Sequence, residues 1–445
     1  MIKPKIVSLF SGVGGLDLGF VDSGFDVSLA IDSDPAAVLA YNLNFGHRAK
    51  TVDVTSEDYY QSLNEVGHCD VLLGGFPCQG FSKAGPKRID DVRNTLYLAM
   101  IQALEKLRPP IFIAENVDGL SQNFNGEMLS QIVQDCEQSG YKVEWKILDA
   151  SWFGVPQHRR RIIIVGIRED LANDSRFIWP VAEYRPVLRN GERNLVEEYP
   201  SWASQEDLKP PQTLRDALVG AQDKPDHVLD GVVSPKVKAI LSRIGPEQKL
   251  CNVRHDKASV RTWDIPDVFG VTSAKERLIL ETIARNRRHR KFGDIPNGNP
   301  LAREVIETLA GVCISDAELR SLSDRRYLKC IDEKWDISGA KFASGIFRRP
   351  ALDSPSPTVL TSFHNARFMA HPVEPRPFSI REVARLQSFP DSFQFLSAGV
   401  EALDAYRLIG NAVPPRLAKK VAESARTLLQ GLEASDRYNS QSVAK

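Results

Sequence analysis

The chain has 445 residues, with 57 Lys plus Arg set against 57 Asp plus Glu and a formal net charge of zero. A hydrophobic share of 42% and a charged share of 26% are ordinary globular values, which excludes a disordered or fibrous protein and predicts two or three domains. No run reaches the roughly 18 uninterrupted apolar residues of a membrane span, so no membrane partner is expected.

The zero is an average. Residues 1–75 hold four basic side chains (Lys3, Lys5, Arg48, Lys50) and ten acidic ones, 4 − 10 = −6, which leaves +6 for the rest. Whole-chain charge therefore decides nothing about a nucleic-acid partner. Met1–Lys5 runs straight into an apolar strand without a signal-peptide pattern. The six cysteines (Cys69, Cys78, Cys136, Cys251, Cys313, Cys330) are scattered with no C-x-x-C pair. Neither a disulfide framework nor a metal site is expected, and a reducing cytoplasm is the expected setting.

In chain order, short and largely β-branched runs at Ile6–Phe10, Val27–Ile31, Val71–Gly74, Ile111–Ala114 and Ile162–Ile167 predict buried strands. Pro35–Asn44, Thr95–Leu107 and Gly126–Ser139 show helical spacing between them. The alternation predicts an α/β fold, a mostly parallel sheet with helices on both faces and ligands at the carboxyl ends of its strands. From about Trp179 to His371 the alternation stops. That stretch holds Pro-rich segments and one helical candidate, Ala274–Arg290, whose end enters the basic run Arg285–Lys291. The run reads equally as a solvated helix end and as a phosphate contact. Helical patterns return in Ile380–Phe389 and Pro415–Leu432, and the final residues read as a frayed tail.

The strand ends hold the chemistry. After the first strand comes the turn Ser11-Gly12-Val13-Gly14-Gly15, which lets the backbone approach a ligand at a helix N-terminus. It is not the G-x-G-x-x-G of dinucleotide enzymes, and a Gly-rich turn alone is weak evidence. The second strand ends in Asp32, suited to ribose hydroxyls, and the third is read to end in Val52-Asp53-Val54. Two acids over such a loop suit a nucleoside without phosphates, and a cationic sulfonium more so. The fourth strand delivers Pro77-Cys78-Gln79. A lone Cys is most often a small buried hydrophobe, but this loop position gives the exposure a nucleophile needs. The fifth strand ends in Glu115, a proton-donor candidate beside an apolar run. Gln157, Arg159 and Arg161 precede the last strand, where alternation puts them on one face.

In this order the blocks Phe-Ser-Gly-x-Gly-Gly (Phe10–Gly15), Pro-Cys-Gln (Pro77–Gln79), Glu-Asn-Val (Glu115–Val117), Gln-x-Arg-x-Arg (Gln157–Arg161) and Gly-Asn-Ala-Val-Pro-Pro (Gly410–Pro415) resemble the cytosine-5 DNA methyltransferases. The resemblance covers roughly residues 4–170 and 376–432. It implies a Rossmann-like class I methyltransferase sheet with S-adenosyl-L-methionine as cofactor. Cys78 would add to cytosine carbon 6, Glu115 would contact ring nitrogen 3 and the amino group, and Arg161 would hold oxygen 2. Arg159 would support the Cys78 loop. Phe10, Ser11, Gly12, Val13, Gly14, Gly15, Asp32, Asp53, Pro77 and Asn411 would bind the cofactor. Ser33 departs from the pattern, since some members carry an aromatic residue there.

The resemblance further implies a catalytic domain in two parts, 1–178 and 376–432, around a smaller irregular target-recognition domain, 179–375, with a flexible tail at 433–445. The expected substrate is duplex DNA, bound by a monomer with its cytosine flipped out under a loop at Gly80–Asn94. A separately acting restriction endonuclease is the expected companion. Two alternatives stay open: a tRNA cytosine-5 methyltransferase, and a catalytically silent nucleic-acid-binding relative.

Overall fold

The computed structural model describes residues 3–77, 96–122, 126–172, 175–187, 207–229, 231–254, 256–295, 298–339, 341–397 and 399–443, with side chains described as far as Leu432. The chain divides into two compact units. The first comprises Met1–Val228, Asp353–Thr361 and Ser379–Lys445, the second Leu229–Leu352 and Ser362–Phe378.

The first unit is built on seven strands, β1 (Lys5–Leu9), β2 (Asp26–Asp32), β3 (Ala49–Thr51), β4 (Val71–Gly74), β5 (Ile111–Val117), β6 (Tyr141–Asp149) and β7 (Arg160–Arg168), in the order β3-β2-β1-β4-β5-β7-β6. The first five strands pair in parallel, and β7 lies antiparallel between β5 and β6. The central strands are apolar on both faces because helices cover both. On one face lie α1 (Gly15–Asp22) and α2 (Pro35–Phe45), and on the other α3 (Glu57–Asn64), α4 (Tyr97–Leu107) and α5 (Glu127–Gln138). Asp34 caps α2 by accepting from the Ala36 amide, with Pro35 in the first turn where its missing N–H is not needed.

Three local expectations shift. β3 stops at Thr51, so Asp53 sits in the following turn, closed by the Ser56 amide on the Asp53 carbonyl at 3.0 Å. β5 runs on to Val117, so Glu115 is a strand residue. β6 is not predicted by the apolar pattern, because Lys142, Glu144 and Lys146 give it the charged character of a sheet edge.

The first unit also reaches past residue 178, the boundary expected from sequence, and includes α6 (Leu214–Leu218). A Thr213–Asp216 capping box starts α6, and Leu214 is buried and donates its amide to the Ser354 carbonyl. The Pro-rich 353–361 segment also belongs to the first unit, running beside Gln157 with the His158 amide on the Ser356 carbonyl at 2.9 Å.

The second unit contains α7 (Pro235–Leu241), β8 (Lys249–Cys251), β9 (Ser259–Val260), α8 (Pro266–Phe269), α9 (Ala274–Asn286), α10 (Arg303–Ala310), α11 (Asp316–Asp324), β10 (Leu328–Ile331), β11 (Lys334–Ile337) and β12 (Ser344–Ile346). The sequence pattern predicts only α9 among these. The chain then returns to the first unit through α12 (Ile380–Leu386), α13 (Ala402–Asn411) and α14 (Pro415–Val443). α14 continues past Leu432, where the sequence reading places a tail, since no proline interrupts the segment. Its apolar side packs with α1: a Cβ on Gly19 would lie 2.3 Å from the Lys419 amide nitrogen, so only glycine permits this approach.

Candidate active site

Register gathers the expected residues along one rim. Leu9 pairs with Ile31 and with Gly74, Gly74 with Ala114, Glu115 with Ile163, and Val117 with Arg161. The carboxyl ends of β1, β2, β4 and β5 and the start of β7 therefore share one edge of the sheet. In a parallel sheet that edge is where ligands bind.

The loop after β1 is held from both sides. Phe10 adopts φ 56°, a left-handed conformation that costs a bulky residue about 1–3 kcal/mol and turns the chain off the strand. The Ser11 amide donates to the Ile31 carbonyl at 3.0 Å, and the Gly12 amide to Asp32 Oδ2 at 2.8 Å. Asp32 Oδ1 accepts from the Asp34 amide at 2.9 Å. Burial pushes the Asp32 carboxyl above its ordinary pKa, partly offset by those two N–H groups. Gly14 caps α1 at φ 87°, with the Tyr41 and Phe45 rings where a Cβ would stand. Val13 is buried beneath the turn, while Ser11 Oγ is buried with no hydrogen-bond partner among the described residues. Asp53 is exposed at the same rim, its carboxyl lowered by the amide and hydroxyl of Thr55.

Pro77 ends a described stretch whose preceding carbonyl, that of Phe76, accepts from Asn116 Nδ2 at 3.0 Å. Asn116, seen in the sequence only as part of the Glu-Asn-Val block, thus ties the end of β5 to the backbone after β4. Cys78 and the Gly80–Asn94 loop lie outside the described residues.

Glu115 and Arg161 form a largely buried ion pair, Nε to Oε1 2.7 Å, and Arg161 Nη1 also donates to the Arg160 carbonyl. Arg159 lies within reach of their charges but bonds elsewhere. It precedes β7 and points inward at 1% exposure, donating to the Val359 carbonyl at 3.0 Å and the Gly410 carbonyl at 2.9 Å. Burial, and then the charge of Arg161, hold its pKa well below the usual value. Gln157 is equally buried: its Nε2 donates to the Leu386 carbonyl and to Gln387, and its Oε1 accepts the Val359 amide. Burial alternates as expected along this stretch, with Gln157, Arg159 and Arg161 buried and His158 and Arg160 between them half-buried, but the three side chains have different partners. The first two tie the late segments in, and only Arg161 joins Glu115.

Those ties set the place of Asn411, the exposed last residue of α13. A Cβ on Gly15 would lie 2.3 Å from the Val413 carbonyl and 3.2 Å from the Ala412 side chain. Arg407 of α13 pairs with Asp34, two residues from Asp32. The late block therefore packs directly on the glycine loop. Gln387 completes this network, donating to the Ile409 carbonyl at 2.6 Å.

The chain is similar to known proteins over nearly its whole length. The family description "C-5 cytosine-specific DNA methylase" matches residues 4–426. The type II methyltransferase M.BsuRI of Bacillus subtilis is 36% identical over 97% of this chain and 82% of its own length. M.AgeI of Thalassovita gelatinovora is 31% identical over 96% of this chain and its entire length. A crystal structure from E. coli, described as that of a prophage-encoded DNA modification methyltransferase, shares the fold at a TM-score of 0.53 and 23% identity, covering 96% of this chain and all of the other. With its blocks in order along a Rossmann-like sheet and the match spanning nearly its whole length, the chain belongs to the C-5 cytosine-specific DNA methylase family.

Proposed function

We propose that the protein transfers a methyl group from S-adenosyl-L-methionine to carbon 5 of a cytosine flipped out of a specific duplex DNA sequence. The observation that supports it most is the buried Glu115–Arg161 pair on the same rim as the Asp32-clamped glycine loop. Flipping the base costs a few kcal/mol but is required, since a stacked cytosine cannot be reached.

The residues fit the cofactor. Ser11 Oγ is a buried oxygen awaiting a partner, and the Asp32 carboxylate stands in a desolvated turn. Both sit in the acidic N-terminal segment, which suits a cation. Phe10, Ser11–Gly15, Asp32, Asp53, Pro77 and Asn411 would hold it. When bound, it supplies an electrophilic methyl that activated carbon 5 takes.

The chain's own groups supply the activation. The Cys78 thiolate adds to carbon 6, forming a carbon–sulfur bond and placing electron density on carbon 5 and the ring. Glu115 offsets the charge developing at nitrogen 3 and the amino group, and Arg161 holds oxygen 2. After methylation a base, water in this reading, takes the carbon 5 proton and the thiolate leaves. The ion pair orients both groups in advance, and removing either partner leaves a buried lone charge costing about 3–5 kcal/mol. Arg159 acts as a positioning residue for the Gly410–Pro415 block. Because the first unit alone holds all five blocks, the enzyme acts as a monomer, with target choice assigned to the second unit. The type II relatives support a companion restriction endonuclease acting separately.

Incubation with radiolabelled cofactor and either DNA or tRNA tests this reading, with bisulfite sequencing of the DNA to locate the product. Label in DNA at carbon 5 of cytosine is expected; label confined to tRNA overturns the substrate. Cys78→Ser is expected to lose all detectable transfer while still binding DNA, and full activity in that variant overturns the mechanism.

A further inference from the structure

Residues 274–337 fold around one core, to which α9, α10, α11, β10 and β11 contribute Ile283, Ile306, Leu319, Leu322, Leu328 and Trp335, joined by Trp263 from outside the segment. Their order has a form. After α9, Leu301 makes an antiparallel bridge to Trp335 of β11, each amide donating to the other's carbonyl at 2.8 Å. Next comes α10, which ends at Gly311 with φ 66°. Four residues later Ser315 caps α11 through a reciprocal box with Glu318. The chain then forms the β10–β11 hairpin, turning at Asp332 and Glu333, both at positive φ. Helix, short strand, helix, turn, helix and a two-stranded wing is the order of a winged helix-turn-helix, an arrangement built to meet DNA.

In most such modules the second helix of the pair enters the major groove. Here that helix, α11, holds Asp316, Glu318 and Asp324 against Arg320 alone, 1 − 3 = −2, and the wing from Lys329 to Lys334 is balanced. Duplex DNA bears one negative charge per about 1.7 Å; Glu318 pairs with Lys275 and Asp316 with Arg303, so neither α11 nor the wing carries an excess of cations to meet it. The run from the last turn of α9 to Lys291 is the opposite. Of its five cations, Arg285 pairs with Glu281 and Arg287 is buried against Asp336. Two of the five cations of the run are thus taken up within the second unit. Arg288, Arg290 and Lys291 remain exposed with no acidic partner among the described residues, and Asp294 is the next acid in the sequence.

This basic segment is anchored. Arg287 makes a two-pronged bond to Asp336 at 2.6 and 2.7 Å, and its guanidinium lies 5.3 Å from the centre of the Phe342 ring. The Asn299 amide donates to the Arg287 carbonyl at 2.6 Å, and Asn299 Nδ2 to the Gly293 carbonyl at 2.9 Å. Both ends of the segment are thus fixed to the module, so the exposed cations are presented from a held base and less ordering entropy opposes their contact.

We propose that residues 274–337 are a winged helix-turn-helix module that grips the DNA backbone through Arg288, Arg290 and Lys291, and not through α11. This rests on the reading that the substrate is duplex DNA. The test uses the full-length protein, a fluorescently labelled random-sequence duplex and a series of salt concentrations. The triple variant R288A/R290A/K291A is expected to bind at least tenfold more weakly near physiological salt. Its slope of log affinity against log salt should fall by about 2–3, one phosphate contact per cation. Its thermal unfolding and its KM for the cofactor should be unchanged. Arg320→Ala on α11 is expected to change binding less than twofold. Wild-type affinity and salt slope in the triple variant overturn the proposal, as does a loss in Arg320→Ala equal to that of the triple. If the wild type methylates DNA and the triple variant binds as well, only the role of this module fails. If the wild type neither binds nor methylates duplex DNA, the substrate reading fails with it.

Discussion

Asp17 is completely buried and accepts hydrogen bonds from Ser8 Oγ and the Tyr41 hydroxyl, both at 2.7 Å. The three side chains join β1, α1 and α2 directly behind the glycine loop. Desolvation, incompletely offset by the two hydroxyls, pushes its carboxyl up from 3.8 to about 6. A raised carboxyl favours the folded state only while protonated, so this contribution is present below pH 4 and lost as pH rises to about 6. Asp17→Asn keeps a group able to meet both hydroxyls and removes the ionisation. Relative to wild type it should gain about 3 kcal/mol of stability between pH 4 and 6 and stay level above. Denaturant unfolding of both proteins across that range checks this, and a constant difference would refute it. At this scale sequence reading works where a residue's role is local. Phe10, Asp32 and Glu115 are legible because a strand end dictates where they point. Arg159 and Arg287 are not, because the carbonyls and carboxylate that claim them lie 49 to 251 residues away.

At the scale of elements, the central strands and α2, α4 and α5 follow from apolar runs bounded by breakers. β6 escapes because an edge strand wears charges, and α10 and α11 escape because each spans only about two turns, too short for periodicity to show. The Ser315-x-x-Glu318 capping box was the available signal for α11. The contact between the glycine loop and the Gly410–Pro415 block is also element-scale, and it is unforgiving. In Gly15→Ala the added carbon would stand 2.3 Å from the Val413 carbonyl, so the start of α1 must move away from the late block. A loss of about 1–3 kcal/mol is expected, with KM for the cofactor rising more than KM for DNA. Chemical denaturation and cofactor titration measure the two effects, and an unperturbed KM would show that the contact does not shape the cofactor site.

For the whole molecule, the catalytic unit is closed only by its last helices. Val413, Leu417, Val421, Leu428, Leu429 and Leu432 share one core with Leu16, Phe20 and the sheet. At about 1.5–3 kcal/mol for each large side chain, these six contribute on the order of 10 kcal/mol, comparable to the entire stability of a typical domain. Removing residues 376–445 should therefore abolish cooperative unfolding and expose surface that binds a hydrophobic dye. A sharp thermal transition in the truncated protein would contradict the shared core.

The pairing of α1 with α14 also sets a clock on the ribosome. Some 400 residues separate the two helices, and at about 5–20 residues per second synthesis takes roughly 20–80 s to cover that distance. Through that interval one apolar face of the nascent sheet is only partly covered, and the glycine loop lacks the late block that packs on it. The polypeptide exposes that surface to chaperones before it is an enzyme, and no methyl group can be transferred until synthesis has passed the helix that begins at Pro415.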